Sequence, residues 1–211
     1  MKKANKMLIK KIIDHILKII PFINIIYYSR ESQIKIKFSH IFFQKICGIN
    51  RKVYWPVHFS SCVVNYKNIY CGIETCPGFM PGCYIQGGDK IIIGNYTQIG
   101  PNVGIIGANH DIYNNKYNVK RRPIIIGEYC WIGMNAVILP GVHLGDFTIV
   151  AAGSVVSKSF PTGYCIIGGN PAEKLYTIDK SKCIEERSQY EYNGYIKHER
   201  FELFRKKHLN V

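Results

Sequence analysis

Acidic residues are scarce in this chain: 14 Asp and Glu stand against 28 Lys and Arg in 211 residues, a formal net charge of +14. The shortage is local. Residues 1–52 hold 2 acidic side chains against 12 basic ones, residues 53–172 hold 5 against 7, and residues 173–211 hold 7 against 9. The centre is nearly balanced and carries no base-reading motif, so no nucleic-acid partner is expected despite the basic total. Paired cysteines are missing too: none of the eight cysteines forms a C-x-x-C pair, which excludes a zinc ribbon or a dithiol redox centre. They read as reduced core thiols. Between residues 60 and 172 only His110 and His143 occur, with no H-x-x-x-x-H pair, which excludes a three-histidine zinc site, and no metal is expected. There is no run of about twenty predominantly apolar residues to span a bilayer, nor an apolar stretch ending in a small-residue cleavage site. The expected location is the cytoplasm, with the inner face of the membrane open to the basic N-terminus.

What the chain has is rhythm. Ile126, Ile132, Ile138, Leu144, Val150 and Val156 recur at intervals of six, and Cys130, Ala136, Val142, Thr148 and Ser154 follow the first five four residues later. An α-helix needs apolar residues every three to four positions and an isolated amphipathic strand needs alternation, so neither template fits. Short parallel strands turning at regular corners do fit, which is the pattern of a parallel β-helix. Gly127, Gly133 and Gly145 follow the aliphatics, while Gly141 and Gly153 sit elsewhere in the hexad; such places suit close backbone approach or positive φ. The beat also runs through Ile93, Ile99 and Ile105, with Thr97 and Val103 in the small position. Upstream, Ile73, Phe79, Ile85 and Ile91 keep it loosely, and a two-residue slip around Gly87-Gly88-Asp89 reads as a small corner insertion.

The main interruption lies between Ile105 and Ile126, 21 residues apart, which is not a multiple of six. Something is inserted over about 106–125, and that stretch holds Asn109-His110-Asp111 and Lys120-Arg121-Arg122-Pro123. The chain thus divides into a basic amphipathic N-terminal segment (1–52), the repeat domain (53–172) and a charged, aromatic C-terminal extension (173–211) expected to be helical. Within residues 1–20 an apolar stripe from Leu8 to Ile20 is interleaved with lysines and ended by Pro21. It reads as a helix that either packs on the protein or lies on an anionic membrane surface.

The stretches Ile93 to Val103, Asn109-His110-Asp111, Cys130-Trp131-Ile132-Gly133, Ile138-Leu139-Pro140-Gly141-Val142, Ala151-Ala152-Gly153-Ser154-Val155-Val156-Ser157-Lys158 and Gly169-Asn170-Pro171-Ala172 together resemble the hexapeptide-repeat acyltransferases. The galactoside, maltose and polysaccharide O-acetyltransferase branch is the nearest. The resemblance covers roughly residues 60–175. It implies an all-β, left-handed parallel β-helix, a homotrimer with active sites between subunits, and acetyl-CoA as donor. Handedness rests on the resemblance alone, since the usual parallel crossover is right-handed.

The resemblance also implies site residues. His110 matches the family's catalytic histidine, and a neutral imidazole suits removal of a hydroxyl proton as attack on a thioester begins. A cysteine nucleophile would need a thiolate beside a base, and the His110 loop contains no cysteine. Asn109 and Asp111 either orient the imidazole, bind acceptor hydroxyls or simply build the turn. Trp131, Gly133, Ala152, Gly153, Ser157, Lys158 and Pro171 match the acetyl-CoA contacts, with Lys158 supplying charge for phosphate. The family usually places a basic residue directly after Asn-Pro-Ala, whereas Glu173 precedes Lys174 here; Arg121 and Arg122 are alternative anion contacts. The expected function is acetyl transfer to a sugar hydroxyl of a surface polysaccharide or its precursor. An amino-sugar N-acetyltransferase, a small-molecule acetyltransferase acting on serine, a galactoside or an antibiotic, and a non-catalytic β-helix scaffold are the alternatives.

Overall fold

The computed structural model describes residues 24–119 and 122–211. The apolar and basic stripe of residues 1–20, and Lys120 and Arg121 of the insertion, lie outside the described residues. In the centre the chain deals short strands to three sheets in rotation. The first sheet stacks Cys62–Val64, Tyr84–Gln86, Gly104–Ile106, Val137–Ile138 and Val155–Val156; the second stacks Ile69–Cys71, Ile91–Ile93, Ile124–Ile126 and His143–Leu144. The third stacks Gln98–Ile99, Trp131–Ile132, Thr148–Val150 and Cys165–Gly169, and ends on Ala172–Thr177. Every pairing within these sheets is parallel except that of the last strand. Trp131 pairs with Ile149 and Val137 with Val155, so one full coil takes 18 residues, or three hexads.

The six-residue beat is the inward face of this coil. Ile126, Ile132, Ile138, Leu144, Val150 and Val156 are all buried, as are Cys130, Ala136, Val142, Thr148 and Ser154. Polar atoms in the small position are satisfied where they lie. The Thr148 hydroxyl donates to the Gly145 carbonyl at 2.6 Å, that of Ser154 to the Ala151 carbonyl at 2.7 Å, and the Cys130 thiol to the Gly145 carbonyl at 3.3 Å. The successive corners from Tyr129 to Gly153 each use a left-handed residue. Tyr129, Asn135, Gly141, Phe147 and Gly153, six apart, have φ of 53°, 58°, 81°, 53° and 70°. A side chain there costs about 1–2 kcal/mol, and at one corner aromatic stacking offsets it. Tyr96, Tyr129, Phe147 and Tyr164 form a ladder with ring centroids 5.2, 5.0 and 5.1 Å apart. Gly133 serves the other purpose: a Cβ there would lie 2.7 Å from both the Ala152 nitrogen and the Val150 oxygen of the next coil.

Two features of the first two coils differ from the simple beat. Gly87, Gly88 and Asp89 do form a lengthened corner, between Tyr84–Gln86 and Ile91–Ile93. Ile73 and Phe79, however, lie in turns, not strands. Pro77 cannot donate to a ladder, and the chain turns at Cys76-Pro77-Gly78-Phe79, closed by Phe79 N donating to Cys76 O at 3.0 Å.

The N-terminal end of the coil is plugged by the preceding segment. Helix Phe38–Ile41 continues into a π-helical turn, Phe42–Ile46, which aims the fully buried Gln44 amide at backbone left unpaired at the coil's end. Gln44 Nε2 donates to the carbonyls of Val53 (3.2 Å) and Trp55 (2.8 Å), and Oε1 accepts from Val57 N (3.1 Å) and the Tyr195 hydroxyl (2.7 Å). The buried Trp55 fills the space beneath and donates its indole N–H to Pro77 O at 2.7 Å.

The extension after residue 172 is α-helical only over His198–His208, with a single 3-10 turn at Lys180–Lys182. Its first part, Ala172–Thr177, adds antiparallel to Cys165–Gly169 because that strand offers an unpaired edge. The chain then returns along the aromatic ladder. Lys180 Nζ lies 4.3 Å from the Tyr164 ring, and the Tyr96 hydroxyl donates to Glu191 at 3.1 Å. A short hairpin, Tyr192–Asn193 with Ile196–Lys197, follows, and the helix packs Phe201 against Tyr54 and Tyr70 beside the first coil. No helix among the described residues is long and apolar enough to cross a membrane.

Candidate active site

The coil holding the insertion is visibly longer. Trp131 pairs with Gln98, a step of 33 residues where the next coil takes 18, so 15 residues have been added. They leave the corner between Gly104–Ile106 of the first sheet and Ile124–Ile126 of the second. Part of the insertion forms an antiparallel hairpin in which Asn109 faces Val119 and His110 faces Asn118. His110 is exposed on that hairpin, as is Asn109. Asp111 builds the turn beyond: its Oδ1 accepts from the backbone N–H of Tyr113 (2.8 Å) and of Asn114 (3.0 Å), and its own N–H donates to Tyr117 O at 2.9 Å. These local bonds are the ordinary turn chemistry of aspartate.

The hairpin is fixed at its root by a residue that sequence reasoning missed. Gln86 Oε1 accepts from Ala108 N at 3.0 Å, Gln86 Nε2 donates to Ala108 O at 3.5 Å, and Gln86 O accepts from Gly107 N at 2.8 Å. One side chain thus imitates a neighbouring strand for the buried residue two positions before His110. The available signal was an amide at the end of a strand, directly before Gly87-Gly88.

The residues matched to the donor site fall on two edges of the coil. Ser157 and Lys158 follow Val155–Val156 at the first-to-second-sheet corner, the same edge as the hairpin and two coils further along. Arg122 covers the corner between them, with its Cβ 3.9 Å from where a Gly141 Cβ would stand. Gly133, Ala152 and Gly153 occupy the third-to-first corner, and Trp131 stands on the third sheet, 56% exposed. Pro171, also exposed, lies just before Ala172–Thr177. Lys158 Nζ pairs with Glu173 Oε1 at 2.5 Å and lies 5.8 Å from the Phe160 ring. The first sheet separates the two edges, so the hairpin and the Ala152 corner lie at different corners of the coil.

Other reactive groups are poorly placed. Burial pushes the Cys130 thiol up to about 12 and raises that of Cys83, which leaves no nucleophilic thiolate there at neutral pH. His40 is pushed down to about 4, chiefly by burial and then by His58 and Lys37; it packs 4.6 Å from the Phe79 ring, its Nδ1 accepting from Lys37 N. It is a neutral structural histidine. Among the described residues no group of three His, Cys, Asp or Glu side chains could hold a metal ion.

Comparison with known proteins places this arrangement. The family described as "Bacterial transferase hexapeptide (six repeats)" matches residues 123–158. The galactoside O-acetyltransferase of Escherichia coli (strain K12) is 32% identical over 154 residues, 72% of this chain and 70% of that protein. WcaF of the same organism, named "Putative colanic acid biosynthesis acetyltransferase WcaF", is 36% identical over 83 residues, 39% of this chain and 45% of that one. The chain spans about half the length of several curated relatives it matches. A solved galactoside acetyltransferase in complex with coenzyme A is similar at 25% identity and a TM-score of 0.50, over 63% of this chain and 70% of that chain. The repeat match and the identity spanning most of both the chain and the galactoside enzyme lead to one conclusion: the chain belongs to the hexapeptide-repeat acetyltransferase family.

Proposed function

We propose that this protein is an acetyl-CoA-dependent O-acetyltransferase that acts on a sugar hydroxyl of a surface polysaccharide or its precursor. The observation that carries the reading is the hairpin that breaks the coil to present His110. The coil is left-handed by family membership. A homotrimer supplies what one chain lacks, because the edge bearing His110 must meet another chain's edge bearing Gly133, Ala152 and Gly153. The polysaccharide acceptor is supported by the name of WcaF. A cytoplasmic site of action, close to the membrane through residues 1–20, suits a lipid-linked or nucleotide-linked precursor.

The residues present fit acetyl-CoA as a substrate. Gly153 has open space where a Cβ would stand, the neighbouring Ala152 is small and exposed, and Trp131 offers an uncovered ring. Lys158 is the cation for phosphate, and to reach one it must leave Glu173. The thioester carbonyl is the electrophile. His110 takes the proton of the acceptor hydroxyl as the oxygen attacks, the C–S bond breaks, and the proton passes to the departing thiolate. Gln86 acts through His110 as a positioning residue. Gln86→Ala is expected to lower kcat roughly 10- to 100-fold, the scale of a misplaced catalytic group, with the KM for acetyl-CoA unchanged. Gln86→Glu, which still accepts from Ala108 N, should restore part of the rate; steady-state kinetics on the two variants checks both.

The test of the function is a screen of free, nucleotide-linked and lipid-linked sugars with acetyl-CoA, read by release of free thiol. Turnover is expected with a hydroxyl acceptor and slower turnover with its amino counterpart. The reverse preference would make the protein an N-acetyltransferase, and failure to bind acetyl-CoA would make it a scaffold.

A further inference from the structure

The segment that plugs the coil has an outer face whose chemistry is unlike the rest of the surface. Between Glu31 and Glu74 the chain contains no Asp or Glu, yet it carries six Lys and Arg. The turn that directs Ile41 and Gln44 inward leaves Phe38, Phe42 and Ile46 facing out, 58%, 38% and 68% exposed. These three stand at intervals of four, on one stripe. The ridge continues through ring contacts, Phe38 to Phe42 at 6.3 Å, Phe42 to Phe43 at 5.4 Å and Phe43 to Phe59 at 4.8 Å, and Phe59 is itself exposed. Lys35 and Lys37 line a cleft with Phe43 and Phe59, while Arg51 and Lys52 follow the exposed Ile49 after Asn50. No ion pair among the described residues engages these four cations.

We propose that this end face docks on an anionic lipid bilayer, with the apolar ridge at the headgroup boundary and the cations on lipid phosphates. A ridge of large apolar side chains ringed by Lys and Arg gains from burial and from the negative surface together. A second copy is a poor occupant, because an isologous contact would set the same acid-free, cationic face against itself. In the proposed trimer, three parallel coils would turn this end toward one side, in a common plane. That clause rests on the trimer; the docking itself does not.

The test is co-sedimentation of the full chain with vesicles of phosphatidylcholine alone and of phosphatidylcholine with phosphatidylglycerol at about 3:1. Binding is expected only to the anionic vesicles and is expected to weaken as salt rises. The variant F38S/F42S/I46S, with residues 1–20 intact, should lose at least about tenfold in partitioning while keeping its oligomeric mass and its turnover of a soluble acceptor. K35E/K37E leaves the apolar ridge in place and should lose on the order of tenfold or more, since each cation near an anionic surface adds to the attraction; it decides the matter if the triple variant does not fold. Unchanged binding by the variants overturns the proposal, as does failure of the wild-type chain to bind. A fall in oligomeric mass in the triple variant would overturn it too and make the ridge a subunit contact. Vesicle binding is read without acetyl transfer, so the two readings fail separately.

Discussion

Replacing His110 with alanine is expected to lower kcat about 10²- to 10⁴-fold, the usual contribution of a positioned general base, while acetyl-CoA binds as before. The separation follows from geometry. His110 is exposed on a hairpin that leaves the coil at one corner, whereas Trp131, Ala152 and Gly153 belong to the third sheet and the opposite edge. Removing the imidazole therefore deletes the proposed general base without altering the surface matched to the donor. The hairpin should keep its shape, because its root is held by Gln86 and its turn by Asp111, neither through the His110 ring. Steady-state turnover combined with calorimetric titration of acetyl-CoA distinguishes the outcomes. Unchanged turnover would remove His110 from the mechanism, and a parallel loss of donor binding would make it a structural residue.

The largest expected stability effect lies at the plugged end, with Trp55→Ala. The side chain is fully buried, its ring stands 4.6 Å from that of Tyr54, and its indole N–H donates to Pro77 O at 2.7 Å. Truncation would leave a cavity and an unsatisfied buried carbonyl. Buried Trp→Ala changes cost about 3–5 kcal/mol, which for a chain of this size lowers Tm on the order of 10 °C. Thermal unfolding followed by circular dichroism gives the number. A shift of only a degree or two would mean that the coil is stable without its plug.

The coil itself was legible in the sequence. Two inward residues per hexad is a constraint of repeating geometry, and every position from Ile126 to Val156 that kept the beat is buried. The beat weakened at Ile73 and Phe79, where Pro77 and Gly78 turn the chain, and turn residues overrode spacing. The place of the insertion was legible for a related reason. An insertion in a periodic chain shifts the phase of everything after it, so Ile105 and Ile126 betray it without showing its shape.

The helical expectation for the C-terminal extension met a different limit. Charge and aromatic content say that a segment is amphipathic, but whether Ala172–Thr177 becomes strand or helix depends on an open sheet edge beside it. Likewise Gln86, an ordinary polar residue in sequence, acquires a role only where the first sheet brings it beside Ala108, 22 positions away. The sequence by itself determined the coil, its period and the corner from which the histidine departs, because repeated local sterics leave a repeated local mark. Only the tertiary structure decided which edge holds His110, what secures its hairpin and how the ends are closed. Those depend on contacts between residues far apart in the chain, and such contacts have no period to read.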